Sequence, residues 1–217
     1  GIIVLNVYNE RLLRLLAETQ IPKVFLDTSS LVSPDELNGD LLLMESRNSV
    51  RNITAHLLEK GCTLPGFMGD IGYAQSNRER YEGFCQALMD AGKTPNPSLC
   101  LTTPLGIDSY REEIDSFLSS LSRMPDAFVC ASDYVACILM QLLEKRGLRV
   151  PEDVAVSGFD NNIEDLLAEN LTTVQVFNEE LGSRLALQIL YRIKYPHTPH
   201  EVTYLESKVL YRASTGD

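Results

Sequence analysis

Short apolar runs alternate with amphipathic stretches along most of this chain, and that alternation narrows the possible folds more than any single motif. The runs cover residues 2–6, 23–27, 41–45, 64–69, 98–102, 127–131 and 154–160. Nearly continuous apolar runs of this length read as strands buried on both faces. Between them, Val50, Ile53, Leu57 and Leu58 fall on one helical face, with Gly61 as the stop. Tyr81, Phe84, Leu88 and Met89 form a second such face, closed by Gly92. Ser109 and Glu112 stand at capping-box spacing ahead of Ile114, Phe117, Leu118 and Leu121. Residues 135–145 make a mostly apolar helix ended by Gly147. Asn178 is placed to cap a helix bearing Leu181, Leu185 and Leu190, which must end before Pro196. Such a pattern predicts an α/β fold, with parallel sheets covered by helices on both faces. About ten strands, counting weaker late candidates, are many for one twisted sheet, so two lobes are expected. No fixed-period repeat and no low-complexity linker marks the boundary between them.

At 217 residues the chain can build two small lobes with real cores. Its 44% apolar and 23% charged residues are ordinary for a soluble globular protein. No apolar run approaches the ~18 residues of a membrane span, so no membrane partner is expected. No basic-then-apolar leader opens the chain, and Gly1-Ile2-Ile3-Val4-Leu5 reads as a buried strand from the middle of a fold. A net charge of −11 repels nucleic acid, so this segment by itself is not expected to grip DNA. The five cysteines are Cys62, Cys85, Cys100, Cys130 and Cys137. They are odd in number, lack the close spacing of zinc or redox motifs, and read as buried reduced thiols of a cytoplasmic protein.

In open α/β sheets, ligands bind beyond the carboxyl ends of the strands. The residues that follow the strands are Asp27, Asp70, Ser132-Asp133 and Asp160-Asn161-Asn162. Together they could line a polar cleft for a neutral polyhydroxylated ligand, because one carboxylate accepts bonds from two hydroxyls. Taken singly, each is also a favoured cap of the following helix, and for any one of them capping comes first. Asp133 in particular is assigned to capping. Gly-x-Ser-x-Gly, P-loop and Gly-x-Gly-x-x-Gly signatures are missing. The histidines, His56, His197 and His200, show no nucleophile or carboxylate partner in the sequence. Neither an enzyme, a metal site nor a cofactor is expected.

Several segments point one way. They are SNRERYEGFCQAL from Ser76, ASDYVACILMQLLEKRGLRVPEDVAVSGFD from Ala131, LTTVQVFNEELG from Leu171 and VLYRAS from Val209. With Ile21-Pro22-Lys23-Val24-Phe25-Leu26-Asp27, they resemble the lactose/galactose-repressor family of bacterial regulators, in order and spacing, over essentially the whole chain. The resemblance implies a periplasmic-binding-protein-like fold of two doubly wound parallel-sheet lobes joined by crossover strands. On it, residues 1–44 and 176–204 form an amino-terminal lobe that lacks its first strand–helix units. Residues 45–175 and 205–217 form the other, with crossings near Glu45, Val176 and Leu205. It further implies an effector-binding, dimerising core of a cytoplasmic repressor, which senses a small polar metabolite, a sugar foremost. Operator DNA is contacted only through an absent amino-terminal head, and the partner is a second copy in a homodimer.

Carried over position by position, Arg80 and Asp160 match the family's effector-binding arginine and aspartate, and Asp27 matches a cleft position of the amino-terminal lobe. Ser132 stands where asparagine is usual before Asp133. Gly106-Ile107-Asp108 stands where an aromatic residue often stacks on the effector, which puts Asp108 at or beside that position. Val176, Cys62 and Glu169 replace a frequent glutamine, histidine and proline. An acidic cleft of Asp27, Asp108 and Asp160 would also suit a cationic ligand. The rival reading is a secreted solute-binding protein of a sugar transporter with the same fold; the thiols and the Pro-Glu-Asp-Val…Leu-Thr-Thr series favour the regulator.

Overall fold

A computed structural model of the chain describes residues 1–106, 108–162 and 168–217. In chain order the elements are β1 (Ile2–Leu5), α1 (Glu10–Glu18), β2 (Lys23–Leu26), β3 (Asp40–Met44), α2 (Arg47–Glu59), β4 (Pro65–Met68) and α3 (Gln75–Asp90). There follow β5 (Cys100–Leu101), α4 (Tyr110–Ser120), β6 (Ala127–Cys130), α5 (Asp133–Lys145), β7 (Ala155–Ser157), β8 (Thr173–Gln175), α6 (Asn178–Lys194), β9 (Val202–Leu205) and β10 (Lys208–Leu210). The first parallel sheet runs β1-β2-β3-β9, with Phe25 opposite Leu41 and Leu42 opposite Thr203. The second runs β5-β4-β6-β7, also parallel. An antiparallel pair, β8 with β10, extends from it through a bridge between Ser157 and Thr172. Leu205 pairs with Met44 at the end of the first sheet.

Alternation along each strand puts successive side chains on opposite faces, and both faces are covered. From β3, Leu41 and Leu43 pack with Phe25 and Leu13 of α1. Leu42 and Met44 turn the other way, onto Leu181, Leu185 and Ile189 of α6. In the second sheet Met68, Phe128 and Val156 meet α4 and α5, while Phe67 and Val129 meet Val50, Ile53 and Phe84 of α2 and α3. Each fully buried side chain of this size contributes about 1.5–3 kcal/mol. The expected α/β architecture of parallel sheets between helices is the one the chain forms.

Local details depart from the sequence reading. The helix α1, capped by Asn9, whose side-chain Oδ1 accepts from Leu12 N at 3.0 Å, was not singled out by the pattern. Residues 98–102 pair only at Cys100–Leu101, because the Asn96 side chain holds Ser98 N at 3.1 Å in a turn instead of a ladder. The capping box does not form: the Ser109 hydroxyl donates to Glu113, whose carboxylate also accepts from Gly106 N at 3.0 Å. Asn178 opens α6 without capping it. Met89 and Leu190 are exposed, since the buried stripes pass through Ala87 and Leu88 and through Gln188 and Ile189.

Candidate functional site

A cavity of about 300 Å³ lies between the carboxyl ends of the two sheets. From the first-sheet side Asn6, Tyr8, Leu26, Asp27 and Met44 line it, joined by Val176, Asn178 and Leu181 at the start of α6. From the second come Asp70, Tyr73, Ser76, Asn77, Arg80 and Tyr110, with Ser132 and the Asp160–Asn162 turn beyond.

Arg80 and Asp160 meet across this wall. Arg80 sits on α3, which lies close against α2 because Gly83 faces the Arg47 carbonyl, where no Cβ would fit. Its guanidinium lies 3.7 Å from the centre of the Phe159 ring. One terminal nitrogen donates to the Ala131 carbonyl and to Asn77 Oδ1, the latter at 3.3 Å. The other stands 3.5 Å from Asp160 Oδ1, and the buried Nε has no partner among the described residues. Asp160 is held at φ +112, a conformation that costs a non-glycine residue on the order of 1–3 kcal/mol. Burial raises its carboxyl above the usual range, and Arg80 only partly offsets this.

Asp27 plays a different part. Its Oδ2 accepts from Ser76 Oγ at 2.6 Å and Tyr8 OH at 3.2 Å, and Oδ1 accepts from Thr28 N at 2.7 Å. Backbone bonds from Gln75 N to Thr28 O (2.9 Å) and from Ser30 N to Tyr73 O (3.0 Å) continue the seam. On β9, Tyr204 donates to Glu79 at 2.8 Å. Asp27 therefore lines the cavity as a bridge between the two sides, with its oxygens already occupied.

Ser132 lines the cavity and also caps α5, its hydroxyl accepting from Val135 N at 3.3 Å. This corrects the assignment of capping to Asp133. That carboxylate is buried, accepts from Thr173 Oγ1 at 2.6 Å, and is pushed up to about 6, chiefly by burial. Asp108 is exposed and is not among the residues lining the cavity; Leu105 and Tyr110 are. Ile107 lies outside the described residues.

The tyrosines Tyr8, Tyr73 and Tyr110 were missed. Tyr8 and Tyr73 follow the ends of β1 and β4, and Tyr110 opens the helix after β5, so the strand-end rule already pointed to them. Tyr8 and Tyr73 meet edge to face at 4.9 Å, as do Tyr110 and Tyr134 at 5.6 Å. His56 does have a carboxylate partner, Asp217 at 2.9 Å, which the separation of 161 positions concealed. Among the described residues no group of three or more His, Cys, Asp or Glu could hold a metal, and no helix is long and apolar enough to cross a membrane. The cavity offers hydrogen-bond acceptors, one guanidinium and aromatic faces, a set suited to holding a polar molecule.

Two parallel sheets that share one ligand-sized polar cavity at their carboxyl ends define a small-molecule-binding core. Residues 54–215 match the model of the periplasmic binding protein-like domain, and the chain belongs to that family. The chain is 30% identical to the HTH-type transcriptional repressor PurR of Aliivibrio fischeri (strain MJ11), over 95% of this chain and 61% of that protein. It is also 30% identical to the HTH-type transcriptional regulator DegA of Bacillus subtilis, over 77% of this chain and 48% of the relative. The structure of a CelR–cellobiose complex, a transcriptional regulator, superposes with a TM-score of 0.85 at 26% identity, covering 99% of this chain and 65% of that one. The resemblance to lactose-repressor-type regulators therefore holds. The chain spans 61–62% of the length of the PurR proteins it matches first.

Proposed function

We propose that this chain is the effector-binding core of a cytoplasmic transcriptional repressor and that its effector is a neutral polyhydroxylated metabolite, a sugar foremost. One observation carries the reading: Arg80 and Asp160 face one cavity with bonding capacity left over. A desolvated carboxylate accepts from two vicinal hydroxyls while the guanidinium donates to a third oxygen. Asp27, Asp70 and Asp160 outnumber Arg80 around the cavity, so phosphorylated sugars are disfavoured. The names of the relatives, and a neighbour in complex with cellobiose, support the same reading.

In this reading the first lobe comprises residues 1–44 and 176–204, and the second 45–175 and 205–217, except that Leu205, expected at the crossing into the second lobe, pairs with Met44 and stays with the first sheet. The ligand touches both lobes and biases their relative orientation, since only differential contact shifts a conformational equilibrium. Across a homodimer, that bias reaches operator DNA through a helix-turn-helix head in the whole protein. The acidic core itself does not hold DNA.

The test is calorimetric titration with neutral sugars and with sugar phosphates, beside melting curves. A ligand at about 100 times its Kd raises stability by about 2.7 kcal/mol. Arg80→Ala and Asp160→Ala are each expected to weaken binding at least tenfold, or ~1.5–3 kcal/mol, while the core still unfolds cooperatively. Normal binding by Asp160→Ala would refute the site.

A further inference from the structure

The Val-Leu-Tyr-Arg-Ala-Ser segment, residues 209–214, carries part of the family resemblance, yet none of its residues lines the cavity. Ser214 ties β7 to the residue before β8: its hydroxyl donates to the Val156 carbonyl at 2.6 Å and accepts from Thr172 N at 2.8 Å. The backbone of Arg212 is fixed on the same threonine. Its N–H donates to Thr172 Oγ1 at 2.7 Å, and its carbonyl accepts from that hydroxyl at 3.2 Å. From this anchored position the guanidinium spans two acceptors. Nη1 donates to the Leu171 carbonyl at 3.1 Å and Nη2 to Asn161 Oδ1 at 2.9 Å. Asn161 passes the contact on, because its Nδ2 donates to Gln175 Oε1 and Gln175 Nε2 donates to the Val176 carbonyl at 2.8 Å.

We infer that Arg212 is a positioning residue for effector binding: from outside the cavity it holds the Asp160–Asn162 turn in the shape that presents the Asp160 carboxylate. The inference rests on the reading of Asp160 as an effector contact. Asp160 and Asn162 line the cavity, while Asn161 between them turns its side chain onto Arg212. Asp160 and Asn161 both have positive φ, +112 and +49. Asparagine takes up the left-handed conformation readily, but +112 lies outside that well. Two such residues in succession persist only where their surroundings over-determine them. Asp133 supplies one restraint, accepting from the N–H groups of Asn161 and Asn162. Arg212 supplies the second. An arginine suits the place because its planar fork reaches Leu171 O and Asn161 Oδ1 together, whereas a lysine, a single point of donation, holds one of them.

The test compares Arg212→Met, Arg212→Lys and Ser214→Ala with the parent chain. Hydrogen exchange followed by NMR needs no effector. In Arg212→Met the Asn161 and Asn162 amides are expected to exchange about tenfold faster relative to Val129 in β6, and in Arg212→Lys about threefold faster. Ser214→Ala, which loosens β7 and β8 but leaves the guanidinium in place, is expected to lower the melting temperature and keep that ratio within about twofold. Calorimetric titration with D-glucose, D-ribose and cellobiose supplies the second readout. Whichever of them the parent binds is expected to bind Arg212→Met about fivefold to tenfold more weakly, and Ser214→Ala within about twofold of the parent. An unchanged exchange ratio in Arg212→Met, or equal losses of affinity in Arg212→Met and Ser214→Ala, overturns the positioning role and leaves the sugar reading standing. If the parent binds none of the three, the sugar reading loses its support, and the exchange ratio still decides whether Arg212 holds the turn.

Discussion

The molecule contains two arginine–aspartate pairs that a residue count would treat alike. Arg192 and Asp40, between α6 and β3, are 3% and 1% exposed as side chains, and every bond is closed. Arg192 gives Nη2 to Asp40 Oδ1 at 2.6 Å and Nε to Oδ2 at 3.0 Å, and it donates further to the carbonyls of Thr198 and Pro199. Gln188 and the Glu201 N–H complete the carboxylate, and these bonds outweigh burial to hold Asp40 below the usual range. Arg80 and Asp160 share one contact at 3.5 Å, leave Nε without a partner among the described residues, and leave the carboxyl raised. The first arrangement is finished and fixes the β9 connection to its sheet. The second is incomplete in the way a binding site must be, with donors and acceptors held in place for a third party.

The largest effect therefore belongs to the closed pair. Arg192→Ala leaves Asp40 buried without its cation and is expected to cost about 3–5 kcal/mol in denaturant unfolding. Arg80→Ala, whose partner Asp160 faces a cavity with its carboxyl already raised by burial, is expected to cost on the order of 1 kcal/mol. Equal losses would erase the distinction between a structural and a receptive pair.

Asp133 sharpens the comparison as a buried carboxylate held by the Thr173 hydroxyl and by backbone N–H groups of Asn161 and Asn162. Its carboxyl titrates at about 6 in the folded chain, against roughly 3.9 when unfolded. Between those values the folded state keeps a proton the unfolded state has released. Stability from this group is therefore full below about pH 4, falls as pH rises to about 6, and stays low above. Asp133→Asn removes that slope, so the variant is expected to gain on the parent by on the order of 2 kcal/mol between pH 4 and pH 7. The depressed carboxylates Asp153 and Asp217, both at about 2, act below this window. His200, lowered by burial, opposes the slope in both proteins and cancels in the difference. Parallel stability curves for variant and parent would show that the proton sits elsewhere.

The sequence made the scaffold and the position of the cleft legible for the same reason. Strands such as Leu41-Leu42-Leu43 must bury both faces, so the sheets and their carboxyl ends follow from hydrophobic periodicity. The strand-end rule then found Asp27, Asp70, Ser132, Asp160 and Asn162 at the cavity. What the residues do there depends on contacts between distant positions, which periodicity does not encode. Asp27 reads as a ligand contact until Ser76, 49 positions away, is seen to occupy it. Ser132 and Asp133 exchange roles because α5 begins one residue earlier than a cap at Asp133 would require. Tyr8, Tyr73 and Tyr110 also stand after strands, where the same rule points, but an aromatic residue in that place reads as core until the cavity is seen.

Asp108 should give the smallest effect and tests how far the family pattern carries. It stands at or beside the position where a stacking residue is expected, yet it is exposed, in the turn before α4. The wall it was expected to form is made by Leu105 and Tyr110. Near a helix amino terminus an exposed acid contributes only a few tenths of a kcal/mol through the helix dipole. Asp108→Ala is therefore expected to shift stability by less than about 0.5 kcal/mol and to leave sugar affinity within about twofold, or roughly 0.4 kcal/mol. A tenfold loss of affinity with unchanged stability would mean that this turn folds over the ligand on binding. In that case the liganded wall would include Asp108, and the acidic balance that disfavours phosphorylated sugars would be stronger than the unliganded cavity indicates.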